Sequence, residues 1–146
     1  MPVASASSKV RSMQGIHLTA DLHRCRCDPV WLTQAETLMR YCTDAVAQVG
    51  LQAVAQLVHT FPAAANHPAA SPGGITATVL LAESHLCIHT WPELSAVTLD
   101  VYVCNFGADH SAKAVALRDR LIALFQPEST AQHRLERGID TAGATV

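Results

Sequence analysis

The chain has 146 residues, of which 49% are hydrophobic and 15% are charged, and its formal net charge is -2. This length and composition predict one globular domain with a sizeable core and argue against intrinsic disorder. The charge offers no basic surface for nucleic acid or an anionic membrane, and no apolar run approaches the ~20 residues of a membrane span.

The two ends of the chain are predicted to be flexible tails, over residues 1–13 and 138–146, flanking a single domain at 14–137. The first tail has two positive charges but no apolar segment after them, which argues against a signal peptide. Five cysteines, an odd number, predict reduced thiols and a cytoplasmic location. Cys25 and Cys27 lack the spacing and the partner pair of a zinc site, even with His23 nearby, so no metal is expected.

The first predicted strand covers residues 15–22, where apolar and polar side chains alternate. A long helix is expected to begin at a cap formed by Asp28 and to end before Gly50, because apolar residues recur between them at helical spacing. Residues 51–61 form a less regular predicted strand. The alanine-, proline- and glycine-rich residues 62–74 are predicted to be an exposed loop.

Two more strands are predicted at residues 75–82 and 84–90, separated by a local break, and Pro92 ends the second. A last helix is predicted from Asp109 or Ser111 to Phe125. Residues 132–135 are predicted to add a short edge strand.

The predicted strand at residues 96–104 has two different faces. The core face carries Val97, Leu99, Val101 and Val103, and the polar face carries Thr98, Asp100, Tyr102 and Cys104. The order of elements predicts an α+β fold, a two-layer α/β sandwich with helices on one face of a mainly antiparallel sheet. Since the other face is only moderately polar, a homodimer is expected to cover it.

The segment at residues 80–93 contains a serine, two histidines, a thiol and two carboxylates. Ser84 and His85 are neighbours on an extended chain, so their side chains point apart. No Gly-x-Ser-x-Gly motif surrounds the serine. These two observations disfavour a serine hydrolase.

Three features of this region together resemble the signature of bacterial S-adenosylmethionine decarboxylase proenzymes. They are Glu-Ser-His at residues 83–85, Ile-His-Thr-Trp-Pro-Glu at 88–93, and Cys104, which follows the serine by twenty residues. The resemblance extends over about residues 15–125 and is strongest at 76–104.

The resemblance implies that the chain cuts itself between Glu83 and Ser84, into a β chain of residues 1–83 and an α chain of residues 84–146. The Ser84 hydroxyl attacks the preceding carbonyl, and an N-to-O acyl shift, elimination and hydrolysis leave a pyruvoyl group at position 84. This cofactor forms a Schiff base with the substrate amine and accepts the electrons that departing carbon dioxide leaves behind. The implied product, decarboxylated S-adenosylmethionine, serves spermidine and polyamine synthesis.

The resemblance also implies roles for five further side chains. His89 moves a proton during processing, and Cys104 is the proton donor in catalysis. Glu93 holds the ribose hydroxyls of the substrate, Phe61 stacks on its adenine, and Thr76 supplies a hydroxyl near the site.

The spacing of Ser84 and His89 conflicts with a flat strand, because residues five apart lie on opposite faces. A bulge or tight bend is therefore expected near the cleavage site. Backbone strain there would also favour the acyl shift.

Three departures from the family pattern concern substrate choice. The loop between Phe61 and Thr76 is longer than usual, residues 94–96 replace an aromatic and glycine pattern, and residues 105–106 stand where glycine is common. An alternative substrate is therefore L-ornithine or L-arginine, decarboxylated by the same chemistry.

The alternative substrates require a carboxylate that binds a cation, for which Asp100, Asp109 and Glu36 are the candidates. A further alternative is an inactive subunit that partners an active one. The intact Ser84, His89 and Cys104 argue against an inactive subunit.

Overall fold

The computed structural model describes residues 13–63 and 73–140, and a six-stranded sheet runs through them. The strands are β1 (Met13–Cys25), β2 (Ala53–Thr60), β3 (Ile75–Leu81), β4 (Ser84–Trp91), β5 (Ala96–Cys104) and β6 (Pro127–Ile139). They lie in the order β2-β3-β4-β5-β1-β6, and every neighbouring pair is antiparallel.

The helices are α1 (Val30–Thr33), α2 (Ala35–Gln48) and α3 (Ser111–Phe125), and a 3-10 turn follows β4 at Pro92–Leu94. The single helix expected after Asp28 is in fact two, because Gln34 has an extended backbone with φ −103° and ψ 98°. The carbonyl of Leu32 accepts a hydrogen bond from the Thr90 hydroxyl at 2.7 Å. That oxygen is therefore hydrogen-bonded to the sheet. In a continuous helix it would instead accept the backbone N–H four residues later in the chain.

The helices cover one face of the sheet, and the core lies between these two layers. The buried strand residues alternate along the chain: Ile16, Leu18, Ala20, Leu22, Ile75, Ala77, Val79, Leu81, Leu86, Ile88, Val97, Leu99, Val101 and Val103. They meet the apolar stripes of α2 and α3, which include Leu38, Val46, Leu117 and Phe125. This arrangement confirms the predicted α+β sandwich and the predicted core face of β5.

The opposite face of the sheet, called the polar face below, carries the intervening side chains, among them His17, Thr78, Cys87 and Asp100. These four residues are only half-buried. Within the described residues, no helix is long and apolar enough to cross a membrane.

The edge strand β6 is much longer than the short strand expected at 132–135. It pairs with β1 from Met13 opposite Ile139 to Cys25 opposite Pro127. Nearly all its side chains are exposed, so the strand depends on backbone pairing and leaves little apolar alternation in the sequence. Most of both predicted tails, and residues 64–72 of the predicted loop, lie outside the described residues.

Candidate active site

The predicted cleavage point lies at the junction between a tight turn and a strand. Leu81 of β3 pairs with Ser84 of β4, so Ala82 and Glu83 form a two-residue hairpin turn. Glu83 has φ 56°, a left-handed conformation that costs a non-glycine residue about 1–2 kcal/mol. The tight bend expected near this bond is therefore present, directly before the serine.

Ser84 contacts the end of β5. The backbone N–H of Cys104 donates a hydrogen bond of 3.0 Å to Ser84 Oγ, and Cys104 is buried. An N–H aimed at a hydroxyl oxygen orients it and stabilises the negative charge that develops there when the proton leaves. The predicted nucleophile therefore contacts the backbone of Cys104, the residue predicted to be the proton donor, 20 residues later in the sequence.

His89, the predicted proton-transfer residue of processing, lies further along the same hairpin. Thr76 and His89 are directly paired across β3 and β4, and His89 Nδ1 lies 2.9 Å from Thr76 Oγ1. The ring of Trp91 is 6.0 Å from that of His89. Thr76 therefore fixes the orientation of the imidazole, and Trp91 adds an aromatic side chain that the sequence analysis did not single out.

Phe61 and Glu93 lie at the same end of the sheet as His89. Phe61 follows β2, its N–H donates to the carbonyl of Gly74 at 2.8 Å, and its ring packs edge-on against His59. Half of Phe61 is exposed. Glu93 is exposed in the 3-10 turn that follows β4. Both side chains are accessible to a ligand.

The predicted site residues therefore form two groups. The cleavage half-site consists of Glu83, Ser84 and Cys104, and the binding half-site consists of Phe61, Thr76, His89 and Glu93. Five residues of extended strand, about 16 Å, separate Ser84 from His89.

Ser84 and His89 also belong to opposite faces of the sheet by strand alternation, whereas Cys104 shares the polar face with His89. Ser84 alternates with the buried Leu86 and Ile88, whereas His89 alternates with the half-buried Cys87. The register of β4 is unbroken against both of its neighbours, so the turn before Ser84 does not turn His89 towards it. One chain does not bring the expected serine and histidine together.

A cluster on the polar face was not foreseen as a unit. Asp100 Oδ2 lies 2.8 Å from His85 Nε2 and 2.9 Å from His17 Nε2, and Arg137 Nη1 lies 3.1 Å from His17 Nδ1. The Arg137 guanidinium also lies 5.4 Å from the centre of the Tyr102 ring. We call Arg137, His17, Asp100 and His85 the histidine–aspartate network. Neither histidine was assigned a role from the sequence.

The ligand atoms of His17, His85 and Asp100 lie within 4.8 Å of one another, a set that could hold a metal ion. Arg137 can only donate, so His17 Nδ1 must accept, and the proton of a neutral His17 is on Nε2, facing Asp100. A metal would need that nitrogen unprotonated. The arrangement is thus a hydrogen-bond network as it stands.

The other candidate ligands give no such cluster within the described residues. Cys25 and Cys27 are buried, and burial raises the pKa of the Cys25 thiol to about 11, with a smaller contribution from Cys27. Burial likewise raises the pKa of Cys27. Both thiols are therefore protonated at neutral pH and behave as core residues.

The three carboxylates proposed for a cationic substrate already have other surroundings. Asp100 accepts from two histidines. Asp109 accepts the N–H of Ser111 at the start of α3, and that bond lowers the pKa of Asp109. Glu36 lines a groove between α2 and β2, together with Arg40. None of these contacts involves either half-site.

Comparisons with known proteins identify the family that this chain resembles. A family model described as S-adenosylmethionine decarboxylase matches residues 16–138. A protein of Aquifex aeolicus named S-adenosylmethionine decarboxylase proenzyme is 33% identical over 125 residues, which cover 86% of this chain and 82% of that protein. A protein of Picrophilus torridus with the same name is 32% identical over 124 residues, covering 85% and 84% respectively.

A solved structure gives the same result at the level of the fold. The crystal structure of the adenosylmethionine decarboxylase from Aquifex aeolicus superposes with a TM-score of 0.71 at 31% identity. The match covers 87% of this chain and 92% of that one.

Proposed function

The chain belongs to the S-adenosylmethionine decarboxylase family, and we propose that it is a self-processing enzyme that releases carbon dioxide from S-adenosylmethionine. Its product would supply spermidine and polyamine synthesis. The observation that carries this proposal is the contact between Ser84 Oγ and the N–H of Cys104, directly after the left-handed Glu83. Five free cysteines support a place in the reducing cytoplasm.

Self-processing needs only the residues of the cleavage half-site and a base. Ser84 Oγ bonds to the carbonyl carbon of Glu83 as the peptide C–N bond breaks, which gives an ester and a free amine. Loss of the Ser84 Cα proton then breaks the Cβ–Oγ bond, so the oxygen leaves as part of the new Glu83 carboxylate. Water releases the nitrogen as ammonia, and position 84 ends as a ketone.

The residues around position 84 suit this pyruvoyl group. When formed, its ketone supplies an electron sink for the electrons that the departing carboxylate leaves on the substrate. The neighbouring Cys104 would donate its thiol proton to the carbon that lost the carboxylate. The exposed Phe61 offers a stacking surface for adenine, and Glu93 offers acceptors for ribose hydroxyls.

A homodimer accounts for the separation of the two half-sites. A second copy packed on the polar face, to which Cys104 and His89 both belong by strand alternation, would bring its His89 and Thr76 to the cleavage half-site of the first copy, and the reverse, so that each dimer holds two complete sites. The polar face is suited to such contact because it exposes Leu57 (77%), Leu80 (48%) and Leu135 (50%) beside polar groups.

The proposal is tested with purified wild-type chain and Ser84→Ala. Mass spectrometry should find two fragments for the wild type, divided between residues 83 and 84, and one intact chain for the variant. Ser129→Ala, which changes an exposed serine far from the turn in sequence, should be cut like the wild type.

The substrate is tested by release of labelled carbon dioxide from carboxyl-labelled S-adenosylmethionine, L-ornithine and L-arginine. We expect release from the first alone. A wild-type chain that stays intact and fails to react with carbonyl reagents would overturn the whole proposal, whereas release from an amino acid alone would overturn the substrate.

A further inference from the structure

We infer that Asp100 is a positioning residue for the cofactor, because through His85 it holds the new end of the α chain in place once the bond before position 84 is cut. The inference rests on the proposed function and adds a role for the histidine–aspartate network.

Cleavage removes the covalent restraint at the start of β4. In the uncut chain, the two-residue turn ties Ser84 to Leu81. After the cut, position 84 is the end of a chain, and chain ends fray unless other contacts hold them. The ketone must nevertheless stay within reach of Cys104.

The contact that holds Ser84 before cleavage is destroyed by cleavage. The N–H of Cys104 donates to Ser84 Oγ, and that oxygen leaves with Glu83 as part of its carboxylate. After cleavage, the start of β4 keeps its backbone pairing with β3 and β5, and any further restraint on position 84 must come from another side chain nearby.

The histidine–aspartate network provides this restraint and loses no atom in the reaction. His85, the residue next to the cut, lies 2.8 Å from Asp100 Oδ2. An ionised carboxylate only accepts, so His85 Nε2 donates to it. Asp100 also accepts from His17, which accepts in turn from Arg137. The chain end is thus tied through β5 and β1 to β6.

Asp100 acts through the backbone and not on the reacting atoms. His85 points to the polar face, whereas Ser84 alternates with residues of the helix-covered face. The Asp100 and His85 side chains are 26% and 34% exposed, so their bond is partly shielded from water. Removing Asp100 should therefore loosen position 84 without removing a chemical group from the site.

The test compares Asp100→Ala and Asp100→Asn with the wild type. Both variants should be cut fully, with a ketone of wild-type mass on the α chain, because the intact turn still positions Ser84 before cleavage. In Asp100→Ala, kcat should fall about 10- to 100-fold with little change in KM, since a small displacement of a reacting group costs that much. Asp100→Asn, which keeps an acceptor oxygen, should recover part of the loss.

A second readout does not depend on activity. Amide hydrogen exchange at residues 85–86 should be faster in cut Asp100→Ala than in the cut wild type. It should stay slow in the uncut Ser84→Ala/Asp100→Ala chain, where the turn is intact. Asp21→Asn is the matched control, because Asp21 lies on the polar face of β1 and should change neither readout.

Unchanged kcat and exchange in Asp100→Ala would overturn the inference, and so would faster exchange in the uncut double variant or failure of Asp100→Asn to be cut. The wild type separates this failure from that of the proposed function. A wild-type chain that is cut and active leaves the proposed function standing whatever Asp100 does.

Discussion

Single residues of one type have different roles here because their surroundings differ. Cys42 is buried in the apolar face of α2, and burial raises the pKa of its thiol to about 12. Cys87 faces the half-buried polar face beside Thr78, and burial raises its pKa as well. Cys104 instead ends β5 beside Ser84. Cys104 stood out in the sequence because it follows Ser84 by twenty residues, and the hydrogen bond between its N–H and Ser84 Oγ explains why that spacing matters.

The Cys42 thiol makes folding stability depend on alkaline pH. Its ordinary pKa of 9.0 is raised in the fold, so its contribution is complete below pH 9 and is lost as pH rises towards 12. Above pH 9 the free energy of unfolding should fall by about 1.4 kcal/mol per pH unit from this group. Urea unfolding of the uncut Ser84→Ala chain at pH 8 and pH 10, under reducing conditions, measures the loss.

Adding Cys42→Ala provides the comparison. This change should lower stability by opening a small cavity at both pH values, but it should remove about 1.4 kcal/mol of the loss between pH 8 and pH 10. If both chains lose the same stability between pH 8 and pH 10, Cys42 is not the group responsible.

At the scale of elements, the β3–β4 hairpin stores strain next to the bond that is cut. Glu83→Gly removes the cost of the left-handed backbone, about 1–2 kcal/mol. If cleavage releases that strain in its transition state, Glu83→Gly should be cut about 5- to 30-fold more slowly. Appearance of the two fragments over time after synthesis of the chain measures the rate.

Ala82→Gly is the matched control for this hairpin. It places a glycine in the same turn at a residue whose φ is not positive, so no strain is relieved there. Equal cleavage rates for Glu83→Gly and the wild type would show that the strain plays no part in the acyl shift.

The sequence predicts elements well wherever one face is buried. Val97 to Val103 alternate in and out of the core as their pattern requires. The sequence predicts poorly where a tertiary contact determines where an element breaks or how far it extends. The break at Gln34 accompanies a bond from Thr90 to Leu32, 58 residues away, and β6 pairs along β1 with little apolar pattern of its own.

The sequence named candidate site residues but did not show how they are arranged. The motifs identify Ser84, His89 and Cys104, yet only the register of β4 shows that the serine and the histidine lie apart. The histidine–aspartate network was hidden for a similar reason. His17 and Asp100 are 83 residues apart, and their meeting depends on how β1 pairs with β5.

At the scale of the whole molecule, the separated half-sites predict complementation between damaged copies. Ser84→Ala lacks the nucleophile and His89→Ala lacks the proposed processing base, so neither should be cut on its own. In a mixed dimer, the His89→Ala copy keeps its Ser84 and receives His89 from its partner. One of the two sites is then complete.

This is measured by co-expressing the two variants with different tags and purifying the doubly tagged dimer. The His89→Ala chain alone should be cut, and decarboxylation should approach half that of the wild-type dimer. A mixture of the two separately purified proteins, kept from exchanging subunits, is the control. No cleavage in the mixed dimer would place each site within one chain.

The strand order has a consequence for what happens after the cut. The first fragment would keep β1, β2 and β3, and the second would keep β4, β5 and β6. Because β1 is inserted between β5 and β6, the fragments interlock at three separate seams. The two fragments should therefore stay associated until the sheet unfolds. The interleaved sheet forms while the chain is still uncut. Once the cut enzyme is unfolded by heat, its two fragments should therefore fail to refold, and the loss of activity should be irreversible.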